Sequence, residues 1–324
     1  MIGILSVVAG ALLATTLTPQ AATGQPLRAP SGPAAYAPDA SEAATRAYWT
    51  PERMRAADSI PPDAVADGIP PGDAAVRSAP AGDEERPGGV PWTLGAEPVR
   101  NVGKLFLTIR PAKEGGPERD ASCTAAVVRS GNRSVVATAA HCVYLNAAGG
   151  WMKRMIFVPA YDKGEAPYGS YVAKSGGVDA AWQSGEDHEA DFAFLLLGPD
   201  EQGRRVEDVT GARRAVFEPV AGEKTALGYP VDKPYDGETL QYCSGPVTAI
   251  TDERLKGGEQ LAPCRMTHGA SGGPWYARTP EGEDVQVAVT SSRPKEPAFE
   301  NAAWGAVFTA KARTLFEDVG RAGG

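Results

Sequence analysis

Histidine is scarce in this 324-residue chain: His141, His188 and His268 are the whole supply, so chemistry that needs an imidazole base has three candidates. Cysteine is nearly as sparse. None of its four copies stands in a Cys-x-x-Cys or Cys-x-x-His spacing, which argues against a zinc site, and no metal or organic cofactor is expected. Lysine and arginine nowhere form a run and the formal net charge is -8, so the clustered positive surface that phosphates require is missing and nucleic acid is not expected as a partner. The apolar stretch Ile2–Leu17 falls short of the ~20 residues that span a bilayer, so no stable membrane span is expected.

What the chain does contain is 42% apolar residues, enough for one large or two modest packed units. Residues 1–27 carry no charged side chain, and Ile2–Leu17 runs into small residues at Ala21 and Ala22. This reads as a signal peptide over residues 1–22 and predicts a secreted, extracellular product. From 23 to 98 the sequence is crowded with Pro, Ala, Gly, Asp and Ser and has few large apolar residues in periodic order. Such a stretch buries too little to offset its ordering entropy and is expected to be a disordered propeptide or spacer, with a helical turn or more in the island AYWTPERMRAA. In an exported chain four cysteines predict two disulfides. Three connectivities are open, and Cys123 with Cys142 and Cys243 with Cys264 is favoured because each closes a short local loop.

After Pro91 the pattern changes to short apolar segments between turn residues: KLFLTI, TAAVV, SVVATAA, MIFVPAY, DFAFLLL, TALGYP, VQVAVT and WGAVF. This spacing predicts an all-β barrel or sandwich, with a hairpin turn at Ser130-Gly131-Asn132. Near the end Ala312, Leu315, Phe316 and Val319 recur at helical spacing and mark a C-terminal amphipathic helix.

Three segments carry chemistry. His141 sits in Thr138-Ala139-Ala140-His141-Cys142, at the end of an apolar strand, and Ser271 sits in the glycine-rich Gly269-Ala270-Ser271-Gly272-Gly273-Pro274. A serine hydroxyl is a weak nucleophile and needs a base, which in turn needs a carboxylate to hold its tautomer. Asp191, opening the strand DFAFLLL, is the natural third member, with Asp187 and Glu189 close by. His188, in the acidic run EDHEAD, is expected to be solvated. Gly269-x-Ser271-x-Gly273 also fits the nucleophile elbow of α/β-hydrolases, but that fold places its histidine after the serine, and no histidine follows His268.

Taken together, TAAHC, DFAFLLL and GASGGP resemble the trypsin and chymotrypsin family of serine peptidases, and VGKLFLTI with GAVF is similar to its bacterial glutamyl-endopeptidase branch. The resemblance covers about 99–324. It implies an all-β fold of two antiparallel six-stranded β-barrels with a C-terminal helix, preceded by the disordered N-terminal region. The first barrel would span about 99–205, the second about 206–308 and the helix about 309–321. The site would lie in the cleft, with His141 and Asp191 from one barrel, Ser271 from the other, and the N–H groups of Gly269 and Ser271 as the oxyanion hole. The implied activity is a serine endopeptidase acting on protein or peptide substrates through an acyl-enzyme. The alternative is a catalytically inactive protease-like binding protein on the same fold.

The resemblance also places Arg265, His268, Thr290 and Ser291 at the substrate. No acidic residue stands before Ser271 to receive Lys or Arg, so acidic or small polar P1 residues are expected, with Arg265 or His268 neutralising a carboxylate. The glutamyl branch carries a histidine on the later strand where this chain has Thr290, and Ser291 would offer backbone groups to an extended substrate. Ala270 replaces the aspartate that pairs with the freed amino terminus in vertebrate members. Maturation of a zymogen would then rest on removing the propeptide near residues 90–100, by a separate activating protease.

Overall fold

The computed structural model describes residues 34–60, 88–92, 99–111, 116–250, 257–292 and 301–322, so the expected signal peptide lies outside the described residues. Upstream elements are β1 (Ala34–Tyr36), α1 (Glu42–Tyr48), α2 (Pro51–Ala56), β2 (Asp58–Ser59) and β3 (Gly88–Pro91). The chain continues through β4 (Val102–Ile109), β5 (Arg119–Val128), β6 (Val135–Thr138), β7 (Tyr144–Leu145), β8 (Gly150–Trp151), β9 (Lys153–Pro159), β10 (Tyr171–Val178), α3 (Ala180–Gly185) and β11 (Ala193–Leu197). After α4 (Val206–Thr210) come β12 (Lys224–Gly228), β13 (Gln241–Gly245), β14 (Val247–Ala249), β15 (Glu259–Leu261), β16 (Pro274–Arg278), β17 (Asp284–Ser292), β18 (Ala303–Val307) and α5 (Ala310–Arg321). Among the described residues no helix is long and apolar enough to cross a membrane.

Six antiparallel strands in the order β10-β11-β6-β5-β4-β9 form a closed barrel, because β9 also pairs with β10 through Tyr171 opposite Phe157 and Val172 opposite Ile156. Residues alternate between its two faces, as the pleat requires. Leu105, Leu107, Met155, Phe157, Tyr171 and Ala173 fill the interior, while Phe106, Ile156, Val158 and Val172 between them point outward into a second apolar cluster.

The second sheet, β14-β15-β18-β17-β16-β12-β13-β3, is curled, but its ladder does not return on itself as that of a six-stranded barrel would. Pro246 is the reason. It separates β13, which pairs with β12, from β14, which pairs with β15, so the ring is joined there by the chain and not by hydrogen bonds. Its core is built from smaller residues, Ala226, Ala277, Val285, Val287 and Ala288 around Trp275, with the Cys243–Cys264 disulfide among them. α5 turns back to the first barrel, where Ala312, Leu315 and Val319 join its core.

Residues 34–60, inside the segment expected to be disordered, lie on the first barrel as a strap. β1 extends the sheet beside β10, and β2 runs parallel to β5, with Ser59 opposite Ser122. Between them α1 starts on Ser41, whose Oγ accepts from the Ala44 N–H, and α2 starts on Thr50 with a proline at its first position. Trp49, Met54 and Ala57 cover the outward-facing Phe106, Ile156, Val158 and Val172. Arg46 donates to the Ser170 and Pro199 carbonyls, and Tyr48 and Arg53 both donate to Asp120. A few large anchors thus order a segment whose average composition is poor in apolar residues. Trp49 is 3% exposed and its indole N–H donates to the Arg154 carbonyl at 2.7 Å. Trp49→Ala is expected to cost about 3–5 kcal/mol in denaturant unfolding; a loss under ~0.5 kcal/mol would mean the strap contributes nothing to the fold.

Candidate active site

β6 delivers His141. The strand ends at Thr138, whose hydroxyl donates to the Thr124 carbonyl at 2.9 Å, and a single 3-10 turn, Ala140–Cys142, then lifts the imidazole out of the ladder. The Cys123–Cys142 disulfide fastens that turn to β5. His141 Nδ1 donates to Asp191 Oδ2 at 2.8 Å and its backbone N–H donates to Oδ1 at 2.9 Å, so both carboxylate oxygens are engaged by one residue. This holds the ring in one orientation with its proton on Nδ1 and leaves Nε2 as the acceptor.

Asp191 ends the short turn His188–Ala190 ahead of β11 and is 1% exposed. Burial alone raises its carboxyl pKa, but the neighbouring His141 charge and hydrogen bonds from His141 and Ser291 outweigh it and hold the group below the usual carboxylate range. Asp187 is spent locally, its side chain accepting from the Glu189 N–H.

Ser271 lies on the turn before β16. Gly272 at φ +77° presses this turn against the first barrel so closely that a Cβ there would meet Thr138 Oγ1 at 2.1 Å, the Thr124 carbonyl at 2.3 Å and the Ala139 nitrogen at 2.9 Å. The Gly272 N–H donates to the Thr290 carbonyl at 2.7 Å. The residue after Ser271 therefore touches both the strand end leading to His141 and the strand that supplies Ser291. Gly269, at φ +89°, is required in the same way, since a Cβ would meet the Tyr229 carbonyl at 2.5 Å. Among the described residues the Gly269 and Ser271 N–H groups donate to no backbone carbonyl, whereas those of Ala270, Gly272 and Gly273 do.

The four residues expected at the substrate fall in different surroundings. Ser291 is buried and its hydroxyl donates to Asp191 Oδ2 at 2.6 Å, so its side chain serves the carboxylate. Nothing in the run VTSS distinguishes this serine from its neighbour. The Thr290 hydroxyl accepts from the Trp275 indole at 3.0 Å and is buried. Arg265 is exposed, with Nε donating to Asn301. His268 Nδ1 pairs with Asp232 at 2.6 Å on the surface. His188 is not solvated as expected: it packs edge-on against buried Trp182, whose other neighbour is His141, and burial lowers its pKa.

Cys123, Cys142 and His141 offer ligand atoms within 4.8 Å of one another, but the two sulfurs are joined to each other and present no thiolate.

Residues 123–283 match the family described as a trypsin-like peptidase domain. The chain is 30% identical to protease Anisep from Arthrobacter nicotinovorans, over 69% of this chain and 97% of that one, with a TM-score of 0.60. It is 30% identical to the thermostable serine protease AL20 from an extremophilic microorganism, over 70% and 99% of the two chains, also with a TM-score of 0.60. A Glu endopeptidase is similar in fold alone, at 18% identity over 73% and 98% and a TM-score of 0.55. No curated protein matches the sequence.

Proposed function

The chain belongs to the trypsin-like serine peptidase family, and from that premise we propose that it is a secreted endopeptidase whose nucleophile is Ser271, base His141 and orienting carboxylate Asp191. The observation that carries the reading is the double hold of Asp191 on His141, through the ring and through the backbone, beside the clamped turn of Ser271. His141 Nε2 takes the Ser271 proton as Oγ attacks the substrate carbonyl, and the buried Asp191 charge stabilises the imidazolium so formed. The Gly269 and Ser271 N–H groups receive the oxyanion, a role typically worth about 2.7–4 kcal/mol for each donor. The imidazolium then protonates the leaving amine, and water hydrolyses the acyl-enzyme by the same steps in reverse. A fluorophosphonate probe should label the processed wild type on Ser271, mapped by mass spectrometry. A folded protein that resists the probe would instead be the inactive binding module.

For specificity we place acidic or small polar residues at P1. The support is Arg265, an exposed guanidinium six residues before Ser271, with His268 nearer still, its Nδ1 paired with Asp232. Past Thr290, whose N–H and carbonyl are taken by Gly273 and Gly272, no bond from the β16 side is made to β17 among the described residues, and the backbone of Ser291 is left for strand addition by a substrate. A diverse peptide mixture should be cut chiefly after Glu, Asp or small polar residues, and cutting chiefly after Lys, Arg or Phe would reject this assignment. We further place residues 1–22 as an export signal, with a separate protease cutting ahead of residue 99.

A further inference from the structure

Four successive carbonyls around Ser271 are each held by a donor: His268 by the Val231 N–H at 2.8 Å, Gly269 by Thr124 Oγ1 at 2.9 Å, Ala270 by the Gly273 N–H at 3.0 Å and Ser271 by the Thr124 N–H at 2.8 Å. Three of these donors are backbone groups that no substitution at their own position removes, proline apart. The fourth is a side chain from the opposite barrel. Resting on the peptidase reading above, we propose that Thr124 is a positioning residue for the oxyanion hole, its hydroxyl fixing the Gly269–Ala270 peptide and so the angle between the Gly269 and Ser271 N–H groups.

The geometry explains why a hydroxyl is needed there. The two hole donors belong to the peptides 268–269 and 270–271, and the peptide between them is the one Thr124 grips. Its other end, the Ala270 N–H, bonds to the Thr267 carbonyl at 3.2 Å, a contact within the turn itself. Among the described residues only the Thr124 hydroxyl ties this peptide to the first barrel, next in sequence to Cys123, whose disulfide partner adjoins His141. The hydroxyl also accepts from the Tyr229 N–H at 3.0 Å, which leaves its single proton directed at Gly269. Thr124 is 0% exposed, so no solvent competes for either bond. Gly269, lacking a Cβ and standing at φ +89°, has a wider range of backbone rotation than a residue with a side chain, so an outside clamp on its carbonyl has something to restrain.

The test compares Thr124→Ser, Thr124→Val and Thr124→Ala with wild type and with Ser271→Ala. Thr124→Ser should stay within about twofold of wild type in kcat, while Val and Ala lower kcat about 10- to 100-fold with KM nearly unchanged, short of the ~10²–10³ lost when a hole donor is removed outright. Affinity for a peptide aldehyde, whose adduct needs the hole, should fall by the same factor, and affinity for a non-covalent product peptide should not. A folded Val or Ala variant with wild-type kcat overturns the proposal. So does a Ser variant as slow as Ala, a comparison that decides the matter even where Val does not fold. If wild type and Ser271→Ala hydrolyse equally, the peptidase reading falls and takes the proposal with it; if they differ and the Thr124 variants match wild type, the proposal alone falls.

Discussion

Replacing Ser271 with alanine is expected to lower kcat by a factor on the order of 10⁶, the size of loss seen when a serine peptidase is deprived of its nucleophile. The effect should be confined to chemistry. Ser271 is held in place by its backbone, through the Thr124 N–H on its carbonyl and the Gly272 N–H on Thr290, and alanine keeps both bonds. Its side chain is only partly buried, so unfolding free energy should change by no more than about 0.5 kcal/mol. Substrate should still bind, so KM stays close to that of wild type. What survives is the small rate that binding and the oxyanion hole provide without a nucleophile. Steady-state kinetics on a peptide found in the library screen, with thermal unfolding of the same samples, checks both halves. A variant keeping more than a few per cent of wild-type kcat places the nucleophile elsewhere.

Asp191→Asn should follow at about 10⁴ in kcat, and the reason lies in the direction of the hydrogen bonds. Asp191 accepts three: from the His141 backbone, the His141 ring and the Ser291 hydroxyl. Asparagine has one acceptor oxygen and one amide. If the oxygen stays with the His141 backbone N–H, the amide faces Nδ1 and demands an acceptor there, which moves the ring proton to Nε2 and blocks it from receiving the Ser271 proton. Ser291 can turn its hydroxyl to accept from the amide, so the variant should fold. Stability carries a second signature. The folded pKa of Asp191 is depressed, so its contribution is present above the unfolded value of about 3.9 and is lost as pH falls through the lower folded value. The stability gap between wild type and Asp191→Asn should therefore narrow on acidification below pH ~4. Equal kcat for the two proteins would remove Asp191 from the mechanism.

The residues proposed for the site were legible because each stands in a contiguous motif: His141 beside its cysteine, Ser271 among glycines, Asp191 at the head of an apolar strand. Both disulfides follow the local pairing. Strands were legible where apolar residues are dense, as in β4, β9 and β11. β10, with Gly176 and Gly177, and the three-residue β14 and β15 have too few large side chains to show a period. β16 opens on Pro274, which suits only the first residue of a strand. The strap left a trace that average composition hides. Leu105-Phe106-Leu107 and Met155-Ile156-Phe157-Val158 are continuous apolar runs rather than alternating ones, the mark of strands covered on both faces, and the cover comes from Trp49, Met54 and Ala57. Ser291 and Thr124 had no local signal, because their partners lie 100 and 145 residues away along the chain.

The strap also bears on what a maturation cut would release. β1 to β2 grips one barrel, β3 borders the other sheet, and residues 61–87 join the two. A cut near residues 90–100 would leave β1 to β3 on the front piece and part no strand pairing of the described residues; it exchanges a tethered neighbour for a separate molecule. Retention of the front piece would then be a matter of mass action, favoured at high concentration and lost on dilution.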